Sequence, residues 1–312
     1  MDISVQSGTI VYDVGFEKGY KLIRDAGFTA IDWNIDNALT GARLKEAAAT
    51  NSLKDICIFE RSLDEVLEYY AEELSCIRAN GLKITQAHCP FPPYYTGRED
   101  VLDYCIGIYK RVIELCDAVD CKNLIVHGIS LDPIDPANDD PARIKELNMK
   151  LYSSLIDTLK KTNVTVCLEN LFKTKKNDFY QGICSDPHEA VEYIDTLNAL
   201  AGKECFGLCL DTGHLHLLRG RFGVYAPILG KRIKALHIHD NDAIYDKHTA
   251  PYSGTIIWQE FIEAMRQIEY DHDLSFETFR QTSPQWTDPE LVPTFLKLIY
   301  DIGLFFRKKI TE

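Results

Sequence analysis

The stretch Phe206-Gly207-Leu208-Cys209-Leu210-Asp211-Thr212-Gly213-His214 joins a short apolar run to an acid, a glycine and a histidine. A continuous apolar run of this length is typical of a strand buried on both faces of a parallel sheet. A helical pattern at residues 188–201 precedes it, and the same order of strand, loop and helix repeats along the chain. The repeat indicates an α/β protein.

Eight strands are predicted, each separated from the next by helix. They cover residues 3–7, 29–34, 83–88, 123–127, 165–169, 206–211, 233–239 and 274–277. Alternation without a linker favours one closed (β/α)8 barrel, a TIM barrel, as a single domain over residues 1–312. A doubly wound open sheet is the alternative, but neither GxGxxG nor a P-loop follows the first strand.

Helices between the strands follow from apolar periodicity and from terminal glycines. One helix ends at Gly27, and the run of lysines after the fifth strand is interpreted as a solvated loop. The other predicted helices cover residues 63–80, 101–119, 141–161, 188–201, 225–231, 258–268 and 289–307.

Composition restricts the class of protein. The 312 residues are 46% hydrophobic and 26% charged, as in ordinary globular domains, and no apolar run is long enough for a membrane helix. No secretory signal is visible, so we expect a cytoplasmic protein. The ten cysteines are scattered without CxxC pairs and are interpreted as reduced core residues. A net charge of −13 counts against binding to nucleic acid.

The residue that ends each strand is the most informative feature of the sequence. In a parallel barrel all carboxyl ends open onto one face, where barrel enzymes hold their active sites. Each such residue alone would more often be a loop anchor, but an unpaired carboxylate after an apolar run is costly to bury, and a cation removes that cost. The joint pattern therefore predicts a divalent-metal site at this face. The residues that end strands three to eight are His88, His127, Glu169, Asp211, His239 and Glu277.

Two further segments add polar groups to the same face. Gly213 allows a sharp turn, so that Asp211 and His214 both face the mouth of the barrel. The pair Asp246 and His248 lies in a loop that could fold over the site. After the seventh strand we predict that only one histidine lines the mouth. We choose His239, nearest the strand end, and expect His237 to pack against a helix.

These motifs together resemble the xylose isomerase-like barrel superfamily. It includes sugar and sugar phosphate isomerases and epimerases, inosose dehydratases and apurinic (AP) endonucleases, and the resemblance covers nearly the whole chain. The motifs are His88-Cys89-Pro90, His127-Gly128, Leu168-Glu169-Asn170, Asp211-Thr212-Gly213-His214, His237-Ile238-His239-Asp240-Asn241-Asp242, Asp246-Lys247-His248 and Glu277-Thr278.

The resemblance implies two different metal contents. In the epimerase branch one Mn²⁺, Mg²⁺ or Co²⁺ is held by residues matching Glu169, Asp211, His239 and Glu277. In the endonuclease branch three zinc ions use nine ligands, and all nine residue types are present here. We therefore expect one divalent metal, with up to three compatible with the sequence. The additional metal-ligating or substrate-binding residues would be His88, His127, His214, Asp246 and His248.

The sequence also departs from the family pattern in two loops. The stretch Pro-Gly-x-Gly-x-Ile becomes Pro251-Tyr252-Ser253-Gly254-Thr255-Ile256, which has lost one glycine. Ketose 3-epimerases usually carry an arginine shortly after the strand-seven histidine, where this chain has Asp240-Asn241-Asp242. The arginine-rich, DNA-inserting loops of the endonucleases have no counterpart.

The function expected from these features is a metal-dependent isomerase or epimerase of a sugar or sugar phosphate, working through an enediolate. Glu169 and Glu277 would remove and return the proton on opposite faces of the substrate. Three alternatives stay open: a zinc-dependent AP endonuclease-like phosphodiesterase, an inosose dehydratase and a non-catalytic sugar-binding barrel. The expected partner is a small sugar or polyol, with no membrane and no nucleic acid, and self-association into a homo-oligomer stays open.

Overall fold

A computed structural model of the chain describes residues 1–131, 140–176 and 178–312. Eight parallel strands form one sheet in the order β10-β1-β2-β3-β4-β5-β8-β9, and β6 and β7 form a separate antiparallel hairpin. The strands are β1 Ile3–Gln6, β2 Ala30–Trp33, β3 Lys83–His88, β4 Asn123–Ile125, β5 Thr165–Glu169, β6 Phe172–Lys175, β7 Asp178–Gln181, β8 Phe206–Asp211, β9 Ile233–His237 and β10 Leu274–Phe276.

The sheet closes on itself between its two end strands. A parallel bridge joins Ile238, just after β9, to Phe276 of β10. The Ile238 amide donates to Ser275 O at 2.8 Å, and the Glu277 amide donates to Ile238 O at 3.1 Å. The prediction of a single (β/α)8 TIM barrel is thereby confirmed.

Helices surround the barrel, and short 3₁₀ turns at Asp36–Leu39, Ile58–Glu60 and Gly230–Arg232 connect some of the elements. Among the described residues, no helix is both long and apolar enough to cross a membrane. The helices are α1 Gly8–Val14, α2 Phe16–Ala26, α3 Gly41–Ala49, α4 Leu63–Tyr69, α5 Ala71–Ala79, α6 Glu99–Ala118, α7 Pro141–Ser153, α8 Ile156–Leu159, α9 Pro187–Ala201, α10 Thr212–Leu217, α11 Phe222–Leu229, α12 Trp258–Gln267, α13 Phe279–Thr282 and α14 Val292–Thr311.

Three local predictions are wrong. The single helix predicted over 63–80 is broken between α4 and α5 at Tyr70, whose φ of −91° and ψ of 4° lie outside the helical region while its ring packs 5.0 Å from that of Trp33. The helix predicted over 141–161 likewise divides into α7 and α8. The lysine-rich segment expected as a loop is the hairpin β6–β7, where the rings of Phe172 and Phe179 lie 5.3 Å apart across the strands.

The interior of the barrel begins with an apolar layer. Four residues from four successive strands of the ring form it, and all are buried: Ile125, Cys167, Cys209 and Ala235. We call these four residues the lower layer. The ten cysteines are free thiols, and nine of them are buried, as predicted for reduced core residues. Gly27 ends α2 in the left-handed region at φ 112°, also as predicted.

Candidate metal centre

The carboxyl ends of the barrel strands converge on Glu169, the last residue of β5. Its side chain is 1% exposed, and one oxygen, Oε2, lies 2.8 Å from His127 Nε2. The other oxygen, Oε1, lies 3.2 Å from His237 Nδ1 and 3.4 Å from His214 Nδ1. Because β3 and β4 are adjacent, His88 reaches the same place, with its Nε2 3.0 Å from His127 Nε2.

Asp211 and His239 form a second, fully buried part of the centre. Nε2 of His239 lies 3.0 Å from each carboxylate oxygen of Asp211. Asp211 also caps α10, since its Oδ1 accepts from the His214 amide at 2.7 Å. A side chain at Gly213 would place its Cβ 1.9 Å from His239 Cε1, so only glycine leaves room for this ring.

The loop after β9 brings Asp246 and His248 over the strand ends, as predicted. Nε2 of His248 lies 3.0 Å from Asp246 Oδ2, and its Nδ1 lies 3.2 Å from Glu277 Oε2. The His248 ring stacks on that of His239 with centroids 3.9 Å apart. Gln6, at the end of β1, donates to Glu277 Oε1 at 3.0 Å and fixes the position of that carboxylate.

All nine predicted site residues therefore lie in one connected cluster. Within each of four overlapping groups, one nitrogen or carboxylate oxygen from every member lies within 4.8 Å of the others. The groups are His214, His239, Asp246 and His248; His88, His127 and Glu169; Glu169, Asp211 and His214; and Asp211, His239 and Glu277.

The donor set fits a divalent cation. Mixed carboxylate and imidazole ligands suit Mn²⁺, Co²⁺ and Zn²⁺, and the carboxylates suit Mg²⁺. One buried carboxylate oxygen, Asp246 Oδ1, has no hydrogen-bond partner in the described part of the chain. A bound cation would supply the partner that this oxygen lacks.

The expectation that His239 lines the mouth of the barrel while His237 packs against a helix is wrong. Its side chain is 1% exposed inside the barrel, with Nδ1 3.2 Å from Glu169 Oε1 and Nε2 3.3 Å from Asp32 Oδ2. Asp32 in turn accepts from Gln86 Nε2 at 2.7 Å. The physical reason is the period of a strand, in which residues two apart share a face, so that His237 and His239 both point inward.

Charge in the cluster is arranged in opposite pairs. Burial favours neutral groups, but His237 and His127 hold the pKa of Glu169 well below its usual value. Burial likewise opposes the charge on His214, but Asp211 and Asp246 raise the pKa of that imidazole to about 10. For His127, burial outweighs the attraction of Glu169 and lowers the pKa. At neutral pH the cluster thus combines an anionic Glu169 with a protonated His214 and a neutral His127.

A cavity of about 440 Å³ lies over the cluster. Glu169 and Glu277 line it, whereas Asp211 and His239 are fully buried behind it. Sequence reasoning missed several other lining residues, which come from loops and strand ends without a recognisable pattern. Gln6 and Asn34 sit next to strand ends, and that position was the available signal. The missed residues are Gln6, Asn34, Asp36, Phe91, Leu171, Phe172 and Phe279.

The loop that departs from the family pattern is held by Asp240. This buried carboxylate accepts from Tyr252 N at 3.0 Å, Ile256 N at 3.2 Å and Trp258 Nε1 at 2.9 Å. Asp240 therefore points away from the cavity and anchors the loop at 251–256. Asp240, the first of the acidic residues after His239, thus has a structural role.

Comparisons with known proteins agree with the fold. The family model described as "Xylose isomerase-like TIM barrel" matches residues 20–298. The uncharacterized protein y4fM of Sinorhizobium fredii is 26% identical over 285 residues, covering 86% of this chain and 82% of that protein.

Solved structures of sugar epimerases share the architecture at low identity. A D-tagatose 3-epimerase-like protein superposes with a TM-score of 0.70 at 17% identity, covering 100% of this chain and 98% of its own. D-psicose 3-epimerase from Clostridium cellulolyticum gives 0.67 at 14% identity, with 98% and 99% covered. The 3-keto-D-glucoside 4-epimerase YcjR from E. coli gives 0.66 at 15% identity, with 96% and 99% covered.

Proposed function

The chain belongs to the xylose isomerase-like TIM barrel family, and from this premise we propose that it is a divalent-metal-dependent isomerase or epimerase of a sugar. The observation that carries the proposal is the placing of two carboxylates, Glu169 and Glu277, on one cavity. They come from separate strand ends, and both approach His237, whose Nδ1 lies 3.2 Å from Glu169 Oε1 and 3.7 Å from Glu277 Oε2. The sugar epimerases among the structural relatives support the same class of reaction.

The residues proposed to hold the cation are Glu169, Asp211, His239 and Glu277. When bound, a divalent cation supplies Lewis acidity, which polarises a substrate carbonyl and so acidifies the neighbouring C–H. The protein's own part is to hold these four side chains in place. Asp211 is held by its hydrogen bond to the first turn of α10, and His239 by the space that Gly213 leaves for its ring. Glu277 is held by the hydrogen bond from Gln6.

Proton transfer is assigned to the two glutamates. Burial opposes their charge, but His237 and His248 keep the pKa of Glu277 below its usual value, so this carboxylate is anionic and able to accept a proton. One glutamate takes the C–H proton, the electron pair of that bond becomes the carbon–carbon double bond, and the π pair of the carbonyl moves onto its oxygen, which gives the enediolate. The other glutamate, after taking up a proton from solvent, returns a proton on the opposite face and gives the epimer, whereas return at the neighbouring carbon gives the isomer.

His237 is proposed as a positioning residue for Glu169. It lies between Glu169 and Asp32, and Asp32 is itself held by Gln86. Such outer partners orient a ligand carboxylate and tune its basicity. His88, His214 and His248 line the cavity and are proposed to orient substrate hydroxyls or to carry protons.

A second candidate, a zinc-dependent phosphodiesterase, is favoured by one observation. The additional groups formed by His88, His127, His214, Asp246 and His248 would accommodate more than one cation. Against it, the described lining of the cavity contains no lysine or arginine to receive a phosphate, and the chain carries a net charge of −13.

The test is elemental analysis of the purified protein, followed by assays in deuterated water. One exchangeable Mn, Mg or Co per chain, with deuterium entering the epimerised carbon of a free ketose, would support the proposal. Two or three tightly held zinc ions together with cleavage of abasic DNA would replace it by the phosphodiesterase. Failure to bind metal after reconstitution would contradict both candidates.

A further inference from the structure

The last helix, α14, has apolar residues on two sides. One side packs into the core through Val292, Leu296, Ile299 and Phe306, all buried. On the other side Leu291, Leu298 and Phe305, spaced seven residues apart, remain 51%, 48% and 43% exposed. A seven-residue spacing keeps side chains on nearly the same line of a helix, so these three form a stripe toward solvent.

Two half-buried residues complete the stripe. Phe295 and Ile302 fall between the three exposed positions, which gives steps of four, three, four and three residues. This is the spacing of a helix that packs against another helix. We call Leu291, Phe295, Leu298, Ile302 and Phe305 the outer stripe, and at about 1.5 Å per residue it runs for about 21 Å.

Apart from Ile302, which also packs against the core, the outer stripe exceeds what the core of the barrel requires. A helix that serves only its own core needs one apolar arc of about 100°, with polar residues opposite. A contiguous exposed apolar surface of this kind marks an interaction site.

The charges at the two ends of the stripe identify the partner. Asp288 and Glu290 precede its first residue, whereas Arg307, Lys308 and Lys309 follow its last. If a second α14 is laid antiparallel about a two-fold axis at Leu298, Leu291 meets Phe305, and the acidic segment with Asp288 that precedes the helix faces the basic last turn with Lys308 of the other copy. The outer stripes of two copies therefore match each other in the spacing of their apolar residues and in the charges at their ends. Such self-complementarity is the property of an isologous interface.

We propose that the outer stripe of α14 is the centre of a symmetric interface between two copies of this chain, with the two helices antiparallel. The apolar line supplies the dry core of that interface, and the acidic and basic ends supply its polar rim. The interface lies on the outside of the barrel, so the proposal is independent of the chemistry in the cavity.

The first test is the mass of the metal-loaded protein in solution, by light scattering after size exclusion at micromolar concentration. The wild type is expected at twice its chain mass of 35.5 kDa. Leu298→Glu and Leu298→Lys place like charges on the two-fold axis and should each give the single-chain mass. Leu200→Glu is the matched control, since Leu200 on α9 is also exposed (57%) and should leave the dimer intact.

The second test fixes the register by charge reversal. Asp288→Lys and Lys308→Asp should each weaken the dimer at least tenfold in Kd by sedimentation equilibrium, and the double variant should restore it. Circular dichroism checks that every variant is folded. A monomeric wild type, a Leu298→Glu variant that stays dimeric, or a double variant without recovery would each overturn the proposal.

Discussion

The barrel interior has two adjacent layers of side chains, and each residue of one layer is followed two positions later by a residue of the other. The lower layer is Ile125, Cys167, Cys209 and Ala235, and two residues after each of these in the chain stand His127, Glu169, Asp211 and His237. We call the latter four the upper layer. Since residues two apart share a face, both layers point into the barrel. One layer is therefore packed without charge, and the next concentrates charge.

The thiols of the lower layer show how strongly the two environments differ. Burial raises the pKa of Cys167 to about 12, so it stays a neutral apolar group. Two residues later, burial is outweighed by His237 and His127, and Glu169 stays anionic. The comparison indicates that the lower layer contributes mainly to stability and the upper layer mainly to the proposed chemistry.

The largest expected effect is on catalysis when Glu277, which directly follows β10 and faces the upper layer, is changed. Glu277→Gln should lower kcat by about 10³-fold, because it removes one of the two proton-transfer groups while keeping the shape of the side chain. The melting temperature should change little. Steady-state kinetics on a free ketose that the protein epimerises measures this, with Cys167→Ala in the lower layer as a control that keeps kcat. A fully active Glu277→Gln variant would remove the proposed role.

The next effect separates the layers by stability. Ile125→Ala should lower the free energy of unfolding by about 2–4 kcal/mol, because it leaves a cavity in the lower layer. His127→Ala, two residues further on, should cost less stability and more activity. Urea unfolding of both variants checks this. Equal losses of stability would mean that the two layers are not energetically distinct.

A smaller effect is expected at His237, the upper-layer residue that we propose positions Glu169. His237→Phe should lower metal affinity by about 10–100-fold, since it removes a partner of a ligand and leaves the other proposed ligands in place. Competition with a chelator measures the affinity. His237→Asn, which keeps one hydrogen-bond donor, should recover part of the loss, and no recovery would argue for a purely structural role.

The smallest effect concerns pH in the cation-free protein. The pKa of His214 is about 10 in the folded chain, against about 6.5 when unfolded. The stabilisation from its protonated form is complete below pH 6.5 and is lost as the pH rises toward 10, so the free energy of unfolding should fall over that range. His214→Asn should flatten the dependence. So should metal, which takes the place of the proton.

The sequence was sufficient for the barrel and for the clustering of the nine site residues. Apolar runs gave β3, β5 and β8 with the bounds that the structure shows. Strand periodicity also determines that His237 lies inside, and our contrary expectation was an error in applying it. The break at Tyr70 and the hairpin β6–β7 involve packing against rings distant in sequence, Trp33 for Tyr70 and His214 for Phe172, which local patterns do not contain.

The cavity lining was the least predictable part of the site. Phe91 comes from a loop, Phe172 from the start of β6 and Phe279 from the start of α13, and only the closed ring brings them together. Asp36 is of the same kind, and its burial raises the pKa of its carboxyl. The sequence around Asp36 does not indicate that this side chain lines the cavity, because the residues that surround it there come from other strands.

The closure of the barrel between β9 and β10 suggests that the proposed ion would also stabilise the fold. Among the described residues this junction is one bridge, whereas the other neighbouring strands pair over three or four residues. His239 and Glu277 follow the two bridged residues directly, one on each side of the seam. An ion bound by both residues would hold the ends of β9 and β10 together. In the ion-free protein, we therefore expect the amide hydrogens at this junction to exchange faster than those between the other barrel strands.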